Sequence, residues 1–175
     1  AIKLGKICND LRLLSSGPRT GLGEIALPAM QPGSSIMPGK VNPVIPEAVN
    51  QTVYQVIAND LAVSLAAEAG QLQLNAMEPM IVYNLLNSMR MLCSACTMLQ
   101  TRCIEGIEAN REQCARHVDN SIGIITALVP HIGYSNASRI ATKALTSGAT
   151  VRELVIGEGL LDEAQLDRLL SPQAM

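Results

Sequence analysis

Leu85-Leu86-Asn87-Ser88-Met89-Arg90-Met91-Leu92-Cys93-Ser94-Ala95-Cys96-Thr97-Met98-Leu99-Gln100-Thr101-Arg102-Cys103 is the stretch that decides the fold class. Leu85, Leu92, Cys96, Leu99 and Cys103 recur at intervals of 7, 4, 3 and 4, a period near 3.5 that predicts one apolar face on a helix packed in a bundle. The pattern continues on both sides. Ile2, Leu4, Ile7, Leu11 and Leu14 predict a helix over 1–15, stopped by Ser15-Ser16-Gly17-Pro18. Val49, Val53, Val56, Asp60 and Val63 trace a second helical face, with Pro46 in its first turn and Gly70 near its end. Asn75 to Pro79 reads as a break. Downstream, Asn110 caps a helix with Cys114, Val118, Ile122 and Ile125 inward, and Pro130 is expected to end it.

Beyond Pro130 the elements shorten. A helix is expected from Asn136 to about Thr146, closed at Gly148. Thr150-x-x-Glu153 and Asp162-x-x-Gln165 are capping boxes, and Pro172 ends the series. No convincing alternating strand is present. The fold class is therefore all-α, with long bundle helices over 1–129 and a small helical end domain over 130–175.

Composition narrows the function classes. The 175 residues carry 13 Lys+Arg against 15 Asp+Glu, a net charge of -2, which opposes a nucleic-acid partner. Three Tyr without Phe or Trp make a base-stacking platform a poor fit. Hydrophobic residues reach 48% and charged ones only 16%, so a membrane reading has to be tested. The longest uncharged run, Asn120 to Ser138, is broken by Gly123, Pro130, His131 and Gly133 and lacks the ~20 apolar residues of a span. A helical face buried against partner subunits accounts better for the apolar surplus. Five Cys without disulfide-type spacing point to a reducing cytoplasm. An uncapped helix opening at Ala1 suggests a piece of a longer chain.

Residues 17–46 differ in kind from the helices around them. They hold Gly17, Gly21, Gly23, Gly33 and Gly39 among Pro18, Pro28, Pro32, Pro38, Pro43 and Pro46. A loop of this length in a compact chain is usually functional or disordered, and Leu22, Ile25, Leu27, Ile36, Met37 and Val41 favour an ordered functional one. Chemistry concentrates in Gly33-Ser34-Ser35-Ile36-Met37-Pro38-Gly39-Lys40-Val41-Asn42-Pro43. Gly33 and Gly39 allow backbone N–H groups to approach a ligand, Lys40 brings a cation, and Asn42 a directional donor suited to a carboxylate. Ser34 or Ser35 can take a proton where donors stabilise the resulting oxyanion. On spacing alone, a plain anion-binding or structural turn stands equal to this reading.

Gly33 to Pro43 resembles the signature loop of the aspartase/fumarase superfamily. Cys8-Asn9-Asp10-Leu11-Arg12-Leu13-Leu14-Ser15-Ser16-Gly17-Pro18-Arg19, Val44-Ile45-Pro46-Glu47 and Ala66-Ala67-Glu68-Ala69-Gly70-Gln71-Leu72-Gln73-Leu74-Asn75 resemble its aspartate ammonia-lyase branch, while Leu128 to Tyr134 sits near both branches. The resemblance covers the whole chain and corresponds to the C-terminal part of a family subunit. It implies a C–N lyase that converts L-aspartate reversibly to fumarate and ammonia. Ser34 matches the general base, and Ser35 the position that holds charge on an aci-carboxylate intermediate. Lys40 and Asn42 match the residues that bind the other carboxylate, and Glu47 a carboxylate that orients a histidine from another segment. Gly33 and Gly39 match hinges of a catalytic loop spanning 31–46. The family needs no organic cofactor, forms homotetramers, and assembles each site from three subunits. The chain alone is therefore expected to be inactive. Fumarate hydratase and a non-catalytic self-associating helical module are the alternatives.

Other candidates read as structure. Cys93-x-x-Cys96 with Cys114-x-x-His117 mimics zinc spacing, but the cysteines fall in helical stretches beside apolar residues, so no metal site is expected. Arg12 and Arg19 fit an ion pair that holds the long loop better than a substrate contact. His131, after Pro130, fits a turn or capping role.

Overall fold

A computed structural model describes residues 1–17, 19–32, 40–171 and 174. Residues 1–110 and 111–175 form two compact units, and each is described by itself. Among the described residues the fold is all-α, apart from one pair of two-residue strands.

In the first unit, α1 (Ile2–Leu14) packs on α2 (Val44–Glu68), which packs on α3 (Glu78–Arg102). Gly5 makes the first contact close: a Cβ there would stand 3.1 Å from Val53 Cγ1. Cys8, Val49, Val53, Ala95, Leu99 and Cys103 form the buried cluster, a core of small and medium side chains without an aromatic ring. The expected 3.5-period face of α3 is therefore corrected. Leu99 and Cys103 are buried, but Cys96 is exposed and Leu85 is 45% exposed, because α2 covers the side that carries Ala95. On α2, Asp60 lies exposed and Asn59 takes the buried place, where its amide donates to Ser88 Oγ at 3.0 Å.

Asn75 turns the chain between these helices. Its Nδ2 donates to the Ala66 carbonyl at the end of α2 (2.9 Å), and its Oδ1 accepts from the Met77 N–H just before α3 (2.8 Å). One side chain thereby serves orphan groups at two helix ends. Ile25–Ala26 (β1) pairs antiparallel with Glu108–Ala109 (β2), in register Ile25↔Ala109. Two-residue strands have no period, so alternation could not reveal them.

The second unit holds α4 (Arg111–Asp119), a 3-10 turn at Ile122–Ile124, α5 (Ile125–Ile132), α6 (Tyr134–Ser147), α7 (Val151–Gly157) and α8 (Glu163–Leu169). Ile124, Ile125, Leu128, Ile132, Ala137, Ile140, Ala144, Val151, Leu154, Val155 and Leu166 form its core. The compact units divide at 110/111, whereas the change of sequence texture falls at Pro130.

Pro130 lies inside α5 instead of ending it, and the helix stops at Gly133, whose φ is 77°. A proline inside a helix costs about 3 kcal/mol. Burying Leu128 and Ile132 on either side returns about 1.5–3 kcal/mol each, which is enough to carry the helix through. Cys114 is half-buried and Val118 exposed, so α4 does not present the expected inward face. Gly148 closes α6 in the left-handed conformation, and both capping boxes form as their patterns require. Pro172 lies outside the described residues.

Candidate functional site

The feet of the long loop are built side by side. At its N-terminal foot the chain folds back on the end of α1. The Leu22 N–H donates to Ser16 Oγ (3.0 Å), Gly23 N–H to the Ser16 carbonyl (2.9 Å), and Glu24 N–H to the Leu14 carbonyl (2.9 Å). Gly21 is required there, since a Cβ would fall 2.3 Å from the Ser16 backbone. The β1–β2 pair follows, reinforced by Asn110 N–H donating to the Glu24 carbonyl at 2.8 Å. Leu27 and Pro28 then line a small void together with Pro43, Val44, Ile45 and Pro46 of the C-terminal foot and with Arg102 and Cys103.

Ser34, Ser35, Gly33 and Gly39 lie outside the described residues. Lys40 and Asn42 are half-buried on the C-terminal foot, and the Asn42 carbonyl accepts from Val44 N–H at 2.8 Å to open α2. Glu47 sits in the first turn of α2, where the N-terminal end of the helix dipole favours a carboxylate. Its Oε1 stands 3.9 Å from Arg12 Nη2, so the ion pair expected of Arg12 joins α1 to the start of α2. Both partners are about 40% exposed. Such a pair is worth at most about 1 kcal/mol and serves more to orient than to stabilise.

Among the described residues, two buried side-chain polar atoms have no hydrogen-bond partner: Nε of this same Arg12, and Asn50 Oδ1. Asn50, one turn after Glu47 and only 3% exposed, donates through Nδ2 to the Gly5 carbonyl at 3.2 Å. Sequence reading missed it. The available signal was a carboxamide between Val49 and Val53 on a core-facing turn.

Cys8 and Cys103, the two buried cysteines of this unit, are packing groups. Burial, with Cys103 and then Cys96 nearby, pushes the Cys8 thiol up to about 11 against a smaller opposing pull from Arg12, and burial raises Cys103. Neither supplies a thiolate at neutral pH. Among the described residues, no group of three or more His, Cys, Asp or Glu side chains is placed to hold a metal ion. No helix among them is long and apolar enough to cross a membrane.

Two family models match the chain, one described as Lyase over residues 1–58 and one as Fumarase C C-terminus over 124–175. The aspartate ammonia-lyase of Pseudomonas fluorescens is 65% identical over 175 residues, covering 100% of this chain and 37% of its own length. The chain belongs to the aspartase/fumarase superfamily. The crystal structure of fumarate lyase:delta crystallin from Brucella melitensis bound to cobalt matches with a TM-score of 0.94 at 63% identity, over 99% of this chain and 38% of that one. The recombinant class II fumarase of Schistosoma mansoni matches with a TM-score of 0.88 at 38% identity, over 99% of this chain and 36% of that one. The chain thus spans little more than a third of the length of these superfamily members. It shares their fold, and its sequence lies nearer the aspartate ammonia-lyase than the class II fumarase.

Proposed function

We propose that this chain supplies the proton-abstracting loop of an aspartate ammonia-lyase, which interconverts L-aspartate with fumarate and ammonia. Ser34 Oγ, as the alkoxide, takes a proton from the carbon beta to the amino group. The electron pair left behind is held as an aci-carboxylate by Ser35 and the loop amides. When it collapses to the double bond, the C–N bond breaks and ammonia leaves. Lys40 and Asn42 bind the second carboxylate through charge-assisted donors. Glu47 orients a histidine from another segment, with Arg12 steadying the Glu47 carboxylate from behind. Gly33 and Gly39 are the hinges on which the loop closes and excludes water.

The observation that carries this reading is the fixed pair of feet. Leu27 and Pro28 line one small void with Pro43 to Pro46, and Leu27 and Ile45 pack against the same core, so Lys40 and Asn42 leave from an anchored stem. A serine base needs that pre-organisation, because a free hydroxyl is a poor proton acceptor at neutral pH. Aspartate is favoured over malate by the nearer likeness to the aspartate ammonia-lyase. We also read residues 1–129 as part of a central bundle and 130–175 as an end domain of a cytoplasmic homotetramer. A self-associating module is the second reading for the chain by itself, on the strength of the exposed apolar stripe of α2 and α3.

The test is Ser34→Ala in the assembled full-length enzyme, followed by fumarate absorbance from aspartate. A loss of about a thousandfold in kcat with intact assembly is expected. Turnover near the parent level overturns the assignment of Ser34, and turnover of malate but not aspartate moves the enzyme to the fumarase branch.

A further inference from the structure

Within the second unit, His131 at the end of α5 faces Leu161, Gln165, Arg168 and Leu169 across a cavity of about 280 Å³. This lies at the small end of ligand pockets. We propose that the cavity binds a small carboxylate with an apolar body and no amino group.

The donor set selects the head of the ligand. Arg168 Nε donates to the Ala164 carbonyl at 3.4 Å, which lays the stem along α8 and leaves both Nη atoms for a two-pronged grip on a carboxylate. Its neighbour Asp167 does not compete, being held by Arg152 Nη1 at 2.7 Å. Gln165 is committed on one side only. Its Oε1 accepts from Asp162 N–H at 3.0 Å in the capping box, so its remaining amide group is a donor. His131, exposed at the end of α5, adds an imidazole N–H to the wall. Arg168, Gln165 and His131 thus all offer donors on the described wall, and no carboxylate lines it. An ammonium group would meet the Arg168 guanidinium with no carboxylate to offset it, which disfavours amino acids. Leu161 and Leu169 offer apolar walls that a bare phosphate would leave unused. A branched short-chain acid satisfies both halves. The site does not depend on the loop chemistry, so its failure would leave the lyase reading untouched.

The chain has two histidines, His117 and His131, so labelled imidazole resonances report the site directly. Titration of the intact chain with 3-methylbutanoate should move the His131 signals and leave those of His117 in place, with a dissociation constant of about 1–10 mM. Arg168→Gln should weaken binding about tenfold with helix content unchanged by circular dichroism. Leu169→Ala should weaken it about threefold while keeping every donor. The proposal is overturned by silence of His131 up to about 100 mM, by undiminished binding in a folded Arg168→Gln, or by equal affinity for inorganic phosphate.

Discussion

The two compact units solve the same packing problem in opposite ways. Residues 111–175 bury eleven side chains in one cluster, including Leu128, Ile140 and Leu166 at 0% exposure, and hold their short helices with local caps. Residues 1–110 have longer helices and a smaller core. α2 and α3 each run 25 residues, about 37 Å, yet the cluster beneath them holds six residues. Tyr54, Ile57, Leu61 and Leu65 on α2, with Val82, Leu85, Leu86 and Met89 on α3, stay at the surface. A helix that leaves such a stripe uncovered is finished by other helices, as exposed apolar patches of this kind mark interaction surfaces. The second unit covers more of its own apolar surface, with Tyr134 and Leu145 as its most exposed apolar side chains. The first, on the homotetramer reading proposed above, is completed by partner subunits.

The largest expected effect tests that contrast directly. Leu61→Glu, on the exposed stripe, should cost the homotetramer proposed above about 3–5 kcal/mol, because an unpaired carboxylate would be buried in its interface. Sedimentation should show dissociated subunits, while the helix content of each subunit holds. A variant that sediments like its parent removes the reason for calling the first unit incomplete. Leu128→Ala probes the other side. It truncates a side chain with no exposure, and urea unfolding should show a loss of about 3 kcal/mol. A loss below about 1 kcal/mol would mean that the second core collapses around the gap and is looser than its burial suggests.

This contrast also explains which features were legible in the sequence. The capping boxes at Thr150 and Asp162 and the Gly148 stop were readable because each is settled within a few residues by backbone geometry. The helical class followed from apolar spacing over many turns. The side each helix would bury was less legible, since a period gives a face but not its neighbour. Cys96 and Leu85 lie on the apolar side of α3 and remain exposed, because α2 covers the side with Ala95 and Leu99. Pro130 misled for a related reason: a local stop signal was outweighed by burial of Leu128 and Ile132. At the candidate site, Lys40, Asn42 and Glu47 were readable as a motif. Asn50, with an unsatisfied buried oxygen one turn beyond Glu47, was not, because the carbonyl that holds its amide belongs to Gly5 on another helix.

The smallest expected effect asks whether local caps contribute to the second unit or only decorate a core that would form without them. Thr150 Oγ1 accepts from Glu153 N–H at 3.2 Å, and Glu153 Oε2 accepts from Thr150 N–H at 2.9 Å. α7 has only seven residues, yet it delivers Val151, Leu154 and Val155 to the core, so fraying at its start loosens three buried contacts. Thr150→Ala removes one of the two bonds and should cost about 1 kcal/mol in urea unfolding. Thr150→Ser, which keeps the acceptor and loses only a methyl group, should stay within a few tenths of a kcal/mol of the parent. The difference between the two variants isolates the cap from the side-chain volume. If alanine and serine unfold together, core packing alone holds α7, and the second unit owes its cohesion to its eleven buried residues.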